Sequence, residues 1–373
     1  MVPAPAAPPS ERQPTAPPPV SIGQLRKAVP PHCFRRALPR SLCYLLRDLA
    51  MAAALFYCAT AIPAAPTPAW ARRLLLWPAY WWAQGAVATG LWVLAHECGH
   101  QAFSSSQVVN DGLGLALHTL LLVPYFAWKH SHRRHHAATN CIEKDEVFVP
   151  HVRDAPHRGF ELEQLFPVRV FRLLTTLTLG WPLYLIFNVA SRPHKSRRWV
   201  SHFDPWAPLF SRRERVEVAA SDACLAAWAA ALAAAGRRWG WGALAATYGG
   251  PYLVMNFWLV VITMLQHTHP SLPHYREGEW AWLKGALATV DRSNGRALDF
   301  LHHHIADTHV AHHLFSQIPH YHAAEATRAL APLLGPWYRR DDTPVLRALW
   351  REWVGCRYAA PDEPGSGVLW MRT

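Results

Sequence analysis

The sequence has no Cys-x-x-Cys pair. Its seven cysteines (Cys33, Cys43, Cys58, Cys98, Cys141, Cys224 and Cys356) are odd in number, and several sit inside apolar runs. That excludes a disulfide framework and suits a reducing compartment. A glycine-rich phosphate loop, a serine triad and a cysteine-based haem site are also missing, which argues against nucleotide chemistry, serine hydrolysis and haem chemistry. Charge is scarce, at 17% of residues, and acidic residues are scarcer than basic ones, 25 against 37. No nucleic-acid-binding motif accompanies the resulting net charge of +12. The arginines and lysines instead flank apolar runs, so they are expected to face the cytoplasm and anionic headgroups, with no nucleic-acid partner. Residues 1–20 lack both the charged start and apolar centre of a secretory signal and the Arg-rich pattern of a transit peptide. Their Pro/Ala/Ser composition predicts a disordered tail.

What the chain has is apolar surface and histidine. The hydrophobic fraction is 51%, with 19 tryptophans, a number that fits membrane-interface belts. After a short helix expected at 21–30, apolar runs cover about 43–62, 74–95, 111–127, 169–190, 216–236 and 242–265. Those of about 20 residues are long enough to cross a bilayer. This predicts an all-α integral membrane protein: one membrane domain over 21–373, with interfacial helices and a polar cap. Arg47 and Asp48, inside the first run, are expected to pair or to reach the interface.

Histidines recur at helical spacing near the ends of these runs. His96 and His100 are separated by four positions. His132, His135 and His136 lie at i, i+3 and i+4, and His309, His312 and His313 repeat that spacing. Such positions share one helical face, and neutral imidazole is the commonest metal ligand. Eight imidazoles exceed the needs of one ion, so two ions with four or five ligands each are expected. His267, at the end of the last apolar run, is the natural ninth ligand, with His269 as its competitor. His118, His130, His302, His303, His304, His320 and His322 are expected at the surface or behind the ligands. Asp145, Glu146, Asp307 and Glu97 are candidates to orient ligating rings through their second nitrogen, with Asp307 foremost.

If the histidine sets share one side of the membrane, an even number of crossings separates each pair. The 111–127 stretch then enters and returns or lies in the interface. Of the three runs between His136 and His309, 169–190 is expected not to span, because of its threonines and Pro182. The four spans are then 43–62, 74–95, 216–236 and 242–265. The basic loops at 192–198 and 211–215 fall on the cytoplasmic side, while Arg237 and Arg238 fall on the other. Two imidazole-bound metals at a membrane surface point to oxygen activation, since attack on an unactivated C–H bond is carried by the metal.

The segments His96–His100, His132–His136 and His309–His313 resemble the histidine boxes of the membrane fatty acid desaturases, most closely the plant and algal microsomal Δ12 (oleate) branch. Ala28–Phe34, Asp145–Pro150, Leu265–Pro270, Thr289–Arg292 and Pro319–Ala323 extend the likeness over nearly the whole chain. The resemblance implies two iron ions held by the eight histidines, and molecular oxygen as co-substrate. It implies electrons from NADH through cytochrome b5 reductase and cytochrome b5. It also implies an oleoyl chain on phosphatidylcholine as substrate, and the endoplasmic reticulum membrane with the irons facing the cytosol. A homo- or hetero-dimer is compatible with it. Similarity to acyl-CoA desaturases implies His267 as ninth ligand. Thr263 stands where those relatives carry a water-bridging Asn, which puts that bridge in doubt. The C-terminal Trp370–Thr373 lacks the aromatic-rich retrieval signal of many plant members.

Two other readings stand beside the Δ12 desaturase. One is a 12-hydroxylase or another divergent oleate-modifying relative. The other is a membrane metal-binding or transport protein, which predicts ionisable residues deep within several spans. In this chain Arg47, Asp48, Glu217 and Asp222 all lie early in their segments, which disfavours it.

Overall fold

Every apolar run of the sequence becomes helix in a computed structural model that describes residues 11–153, 162 and 165–373. The first helix, α1 (Ile22–Ala28), starts at a capping box in which the Ser21 and Gln24 side chains each serve the other's backbone N–H. It stops before Pro30. α2 (Leu38–Ala61) and α3 (Trp77–Gly99) follow, the second entered through a π-helical turn at Arg72–Leu76. α4 (Gln107–Leu120) is capped by Ser106, and α5 (Tyr125–Ala138) carries the second histidine set. α6 (Phe166–Phe187), α7 (Arg215–Trp239) and α8 (Gly250–His267) supply the remaining long apolar helices. The cap contains α9 (His309–Leu314), α10 (His320–Leu334) and α11 (Val345–Gly355). Its small antiparallel sheet is made of β1 (Pro273–Tyr275), β2 (Tyr358–Pro361) and β3 (Val368–Arg372). β3 lies in the middle, pairing Trp370 with Pro273 on one side and Ala360 on the other.

α3 is the axis of the molecule. Leu91 through Cys98 are buried on every face, and α2, α4 and α8 pack around it. Close approach needs glycine. A Cβ on Gly85 would sit 2.5 Å from Val254 on α8, and one on Gly90 would sit 2.4 Å from the Leu301 carbonyl. Trp92, Trp181, Trp258, Leu259 and Ile262 form the core where α3, α6 and α8 meet. Between membrane helices such side chains act through close van der Waals packing, since lipid already surrounds them with apolar contacts. The same registration holds the C-terminal ends of α3 and α8, which carry His96 and His267, at one level.

The 111–127 stretch is not one straight helix. α4 and α5 meet at 109° across a short break, a bend that a broken span and a re-entrant segment share. Among the described residues, four helices are long and apolar enough to cross a membrane: Leu38–Ala64, Phe166–Phe187, Arg215–Trp239 and Trp241–His267. Three contain expected spans. The fourth, α6, was expected not to span, and α3, which was expected to span, falls outside this group. By length and composition, then, α6 qualifies and α3 does not, the reverse of the expected pairing. The start of α6 is tied to the cap by the Trp353 Nε1–H, which donates to the Arg169 carbonyl at 3.1 Å. Its end is held by neighbouring loops, where the His202 N–H donates to the Leu185 carbonyl and the Val149 N–H to the Ala190 carbonyl.

Residues 1–10 of the expected tail lie outside the described residues. Residues 11–20 correct the expectation of disorder. Gln13 is 2% exposed, and its Nε2–H donates to the carbonyls of Leu287 and Trp337 at 2.9 and 2.7 Å. Arg12 lies over the Trp370 ring at 4.4 Å. These anchors are polar and distant in sequence, so apolar content does not register them. Arg47 and Asp48 do pair, at 2.9 Å, and the other Asp48 oxygen takes a 2.6 Å bond from His303.

Candidate metal centre

Nine imidazoles converge where α3, α5, α8 and α9 end or begin. α3 brings His96 and His100 from its last turn, α5 brings His132, His135 and His136, α8 brings His267 from its final residue, and α9 brings His309, His312 and His313. They sort into two groups. In the first, His96, His100, His132, His136 and His312 each offer a nitrogen within 4.8 Å of all the others. The Nε2 atoms of His96 and His132 are 3.0 Å apart, and those of the pairs His96/His100 and His132/His136 are each 3.2 Å apart. In the second, His135, His267 and His313 satisfy the same test. His309 joins them, with its Nε2 3.0 Å from that of His267 and 3.0 Å from that of His313. The groups touch where the His136 and His313 rings stack at 4.2 Å.

The sorting follows from helix geometry. Residues four apart are rotated by about 40° and residues three apart by about 60° the other way. On α5 the i, i+4 pair His132/His136 stays in the first group while His135 turns to the second. On α9 the pair His309/His313 goes to the second while His312 crosses to the first. Each helix thus gives two ligands to one group and one to the other.

The donor chemistry fits a cation. A neutral imidazole has one N–H, yet His132 Nε2 faces two other Nε2 atoms and so does His267 Nε2. Hydrogen bonds cannot satisfy such closed arrays of lone pairs, and metal ions can. Burial, followed by the neighbouring imidazoles, pushes His132, His136, His309 and His313 well below the ordinary histidine range. His312 is pushed down to about 3, again chiefly by burial. All are therefore neutral at pH 7 with lone pairs available, the state in which imidazole ligates.

Partners behind the rings fix which nitrogen faces inward. His135 Nδ1–H donates to Asp145 Oδ1 at 2.7 Å. Asp145 is itself held by the backbone N–H groups of Asn140, Glu146 and Val147. The Thr139 hydroxyl donates to the His135 carbonyl at 2.8 Å, so His313 Nδ1, 3.2 Å from the same oxygen, is the donor there. Trp128 stacks on His132 at 4.6 Å and Trp92 on His96 at 5.6 Å. Thr139 and the tryptophans were not legible as site residues, although Thr139 lies one turn past His135.

Several expected roles fall elsewhere. Asp307, the foremost orienting candidate, pairs with His304 at 3.0 Å and with none of the nine. Glu97 Oε2 accepts the His320 N–H at 2.9 Å and so starts α10, while its Oε1 stays 3.9 Å from His96 Nδ1. Glu146 anchors Ser191, Arg192 and His194. His269 turns away toward Asp341, 3.4 Å from its Nε2, which leaves His267 with the nine. The Thr263 hydroxyl donates to the Leu259 carbonyl at 2.7 Å, back along its own helix.

A cavity of about 500 Å³ leads to this centre, within the size range of small-molecule sites. Val93, Trp181, Leu259 and Val260 line its walls, Arg172, His151 and Arg357 also border it, and His96, His132, His135, His267 and His309 close it. A space with apolar walls that contacts both imidazole groups suits a long, flexible apolar chain.

The profile of the fatty acid desaturase family matches residues 75–342, and that of a domain of unknown function matches residues 7–56. A Delta(12)-acyl-lipid-desaturase of Punica granatum is 50% identical over 98% of this chain and 93% of its own length. A Delta(12)-oleate desaturase of Trichosanthes kirilowii is 50% identical over 97% of this chain and 98% of its own. An omega-6 fatty acid desaturase, endoplasmic reticulum isozyme 1, of Glycine max is 50% identical over 98% of this chain and 93% of its own. With the family profile spanning the histidine clusters and these relatives covering nearly its full length, the chain belongs to the fatty acid desaturase family.

Proposed function

We propose that this protein is an acyl-lipid Δ12 desaturase that converts oleoyl chains on a phospholipid, phosphatidylcholine in the first instance, to linoleoyl chains. The overall change removes two hydrogens from adjacent methylenes and reduces O2 to two waters with two further electrons and two protons. The electrons come from NADH through cytochrome b5 reductase and cytochrome b5. One observation carries this reading: five of the nine clustered imidazoles, drawn from both groups, close a cavity of about 500 Å³ with largely apolar walls.

The residues present suit two irons, one held by His96, His100, His132, His136 and His312 and the other by His135, His267, His309 and His313. Bound there, the irons supply the oxidant that an unactivated C–H bond requires. The protein contributes position and exclusion of water. Trp181, Val260 and Leu259 confine the chain, so that one pair of methylenes faces the imidazole groups. Asp145 and Thr139 hold His135 and His313 with Nε2 turned inward. The bulk of Trp92 and Trp128 behind His96 and His132 keeps those rings from turning out.

The proposed setting is the endoplasmic reticulum membrane. α2, α3, α7 and α8 cross it, and α6 lies along the face that carries the histidines. The start of α6 is bonded to the cap through Trp353, and the Arg-rich 192–198 loop follows its end, which favours a cytosolic centre.

Expression in yeast, which makes oleate but no linoleate, followed by fatty-acid analysis, tests the reaction. A new diene is the expected product. A 12-hydroxy acid would reassign the chain to the hydroxylases. No new product from protein that is present and membrane-bound would defeat the proposed substrate.

A further inference from the structure

A second set of metal-ligating side chains lies outside the nine-histidine centre. Pro31–Phe34 forms a single 3-10 turn packed against α10, and it sets His32 and Cys33 beside His322 and Glu325. The four residues offer one donor atom each, all within 4.8 Å of one another. His32 Nε2 is 2.9 Å from Glu325 Oε2 and 3.8 Å from Cys33 Sγ. His322 Nδ1 is 4.0 Å from the same carboxylate oxygen, and the two imidazole rings meet edge-on at 5.3 Å. A tetrahedral zinc ion with bonds of about 2.0–2.3 Å holds its donors roughly 3.2–3.8 Å apart. Small side-chain rotations bring these four to that geometry.

A surface ion pair between His32 and Glu325 would account for two of the four side chains. It leaves the thiol unexplained. Cys33 has no solvent exposure and packs within an apolar cluster with Leu25 and Val29, yet its sulfur also lies within 3.8 Å of the His32 imidazole. Burial, and then Glu325, push that thiol up to about 11, with Arg328 acting weakly the other way. Among the described residues the ion-pair partners of Glu325 are His32 and His322, with no lysine or arginine. Thiolate, carboxylate and two imidazoles are the donor types zinc prefers, and four protein ligands with no open position characterise structural sites.

We propose that His32, Cys33, His322 and Glu325 bind one zinc-class divalent cation in a four-coordinate site separate from the nine-histidine centre. On binding, Cys33 releases its proton to solvent as the metal–sulfur bond forms, and the imidazoles bind as neutral donors. The ion clamps the segment before α2 onto the helix that follows the third histidine set, joining pieces of chain about 290 positions apart. This site does not depend on the reaction proposed above.

The test uses the full chain, purified in detergent with its iron in place. It is exposed to Zn2+ alone and desalted, and both metals are then counted by elemental analysis. The expected result is about one zinc per chain, lost in Cys33→Ser and in His322→Ala while iron content is unchanged. Co2+ in place of Zn2+ is expected to give a thiolate-to-cobalt absorption band that Cys33→Ser removes. Glu325→Gln, at the exposed rim, provides a variant that leaves the buried thiol intact, and it should lose zinc faster on dilution. Wild-type protein that retains no zinc, or equal zinc in wild type and all three variants, overturns the proposal.

Discussion

The nine-histidine centre and the cluster around His269 are both gatherings of potential metal ligands, and they are neutralised in opposite ways. His269, Asp341 and Glu352 offer donors within 4.8 Å of one another, as eight of the nine histidines do within their groups. Around His269, however, the protein provides its own cations. Arg292, 1% exposed, reaches Asp341 at 2.8 Å and Glu352 at 3.3 Å, and Arg351 contacts both carboxylates. Burial pushes the Asp341 carboxyl up, but hydrogen bonds from His269, Thr343 and Arg351 outweigh it and hold the group well below the usual carboxylate range. In the nine-histidine centre no arginine or lysine pairs with the rings among the described residues, and most of them face other imidazoles. Proximity of donors alone therefore does not define a metal site. What separates the two is whether positive charge is already built in.

Three variants would break or sharpen that contrast. The largest expected effect is His135→Ala, which removes a ligand from the second group. Diene formation in the yeast assay should fall below detection, while the protein still inserts and accumulates. Retained product would remove His135 from the ligand set. Next, Arg292→Ala takes away a built-in cation and leaves Glu352 and Asp341 partly unpaired. A loss of roughly 3–5 kcal/mol of stability is expected for breaking a buried pair, measured by thermal unfolding in detergent. An unchanged unfolding temperature would show that Arg351 suffices alone. The smallest of the three is Asp145→Asn, which keeps the shape but weakens the bond that orients His135. Iron affinity should fall about 10–100-fold with the fold intact, as read by iron titration. An unaltered titration would make Asp145 a loop anchor only.

Much of the centre could be read from the sequence because its ligands are paired locally. His96/His100, His132/His136 and His309/His313 are each one helical turn apart, and helix spacing puts such pairs on one face before any tertiary contact forms. The same spacing misassigned Asp307, whose proximity in sequence to His309 does not survive the turn that delivers it to His304. Gln13 was misjudged for a related reason. Its partners, Leu287 and Trp337, are more than 270 residues away, and composition carries no information about them. The helix 166–187 shows the limit of sequence signals: its threonines and Pro182 led to the expectation that it does not cross, while its length and hydropathy are those of a crossing helix.

The sequence by itself determined that there would be long apolar helices ending in imidazole pairs, and hence a metal-binding membrane protein of this family. Side-chain periodicity and hydrophobicity are local properties, and they suffice for that much. The tertiary structure alone decided how nine histidines divide into five and four, that His267 joins them while His269 turns to Asp341, and that an apolar cavity meets both groups. It also alone brought Cys33 to Glu325. Those outcomes depend on the crossing of α3, α5, α8 and α9 and on contacts between distant segments, which only the packed core fixes.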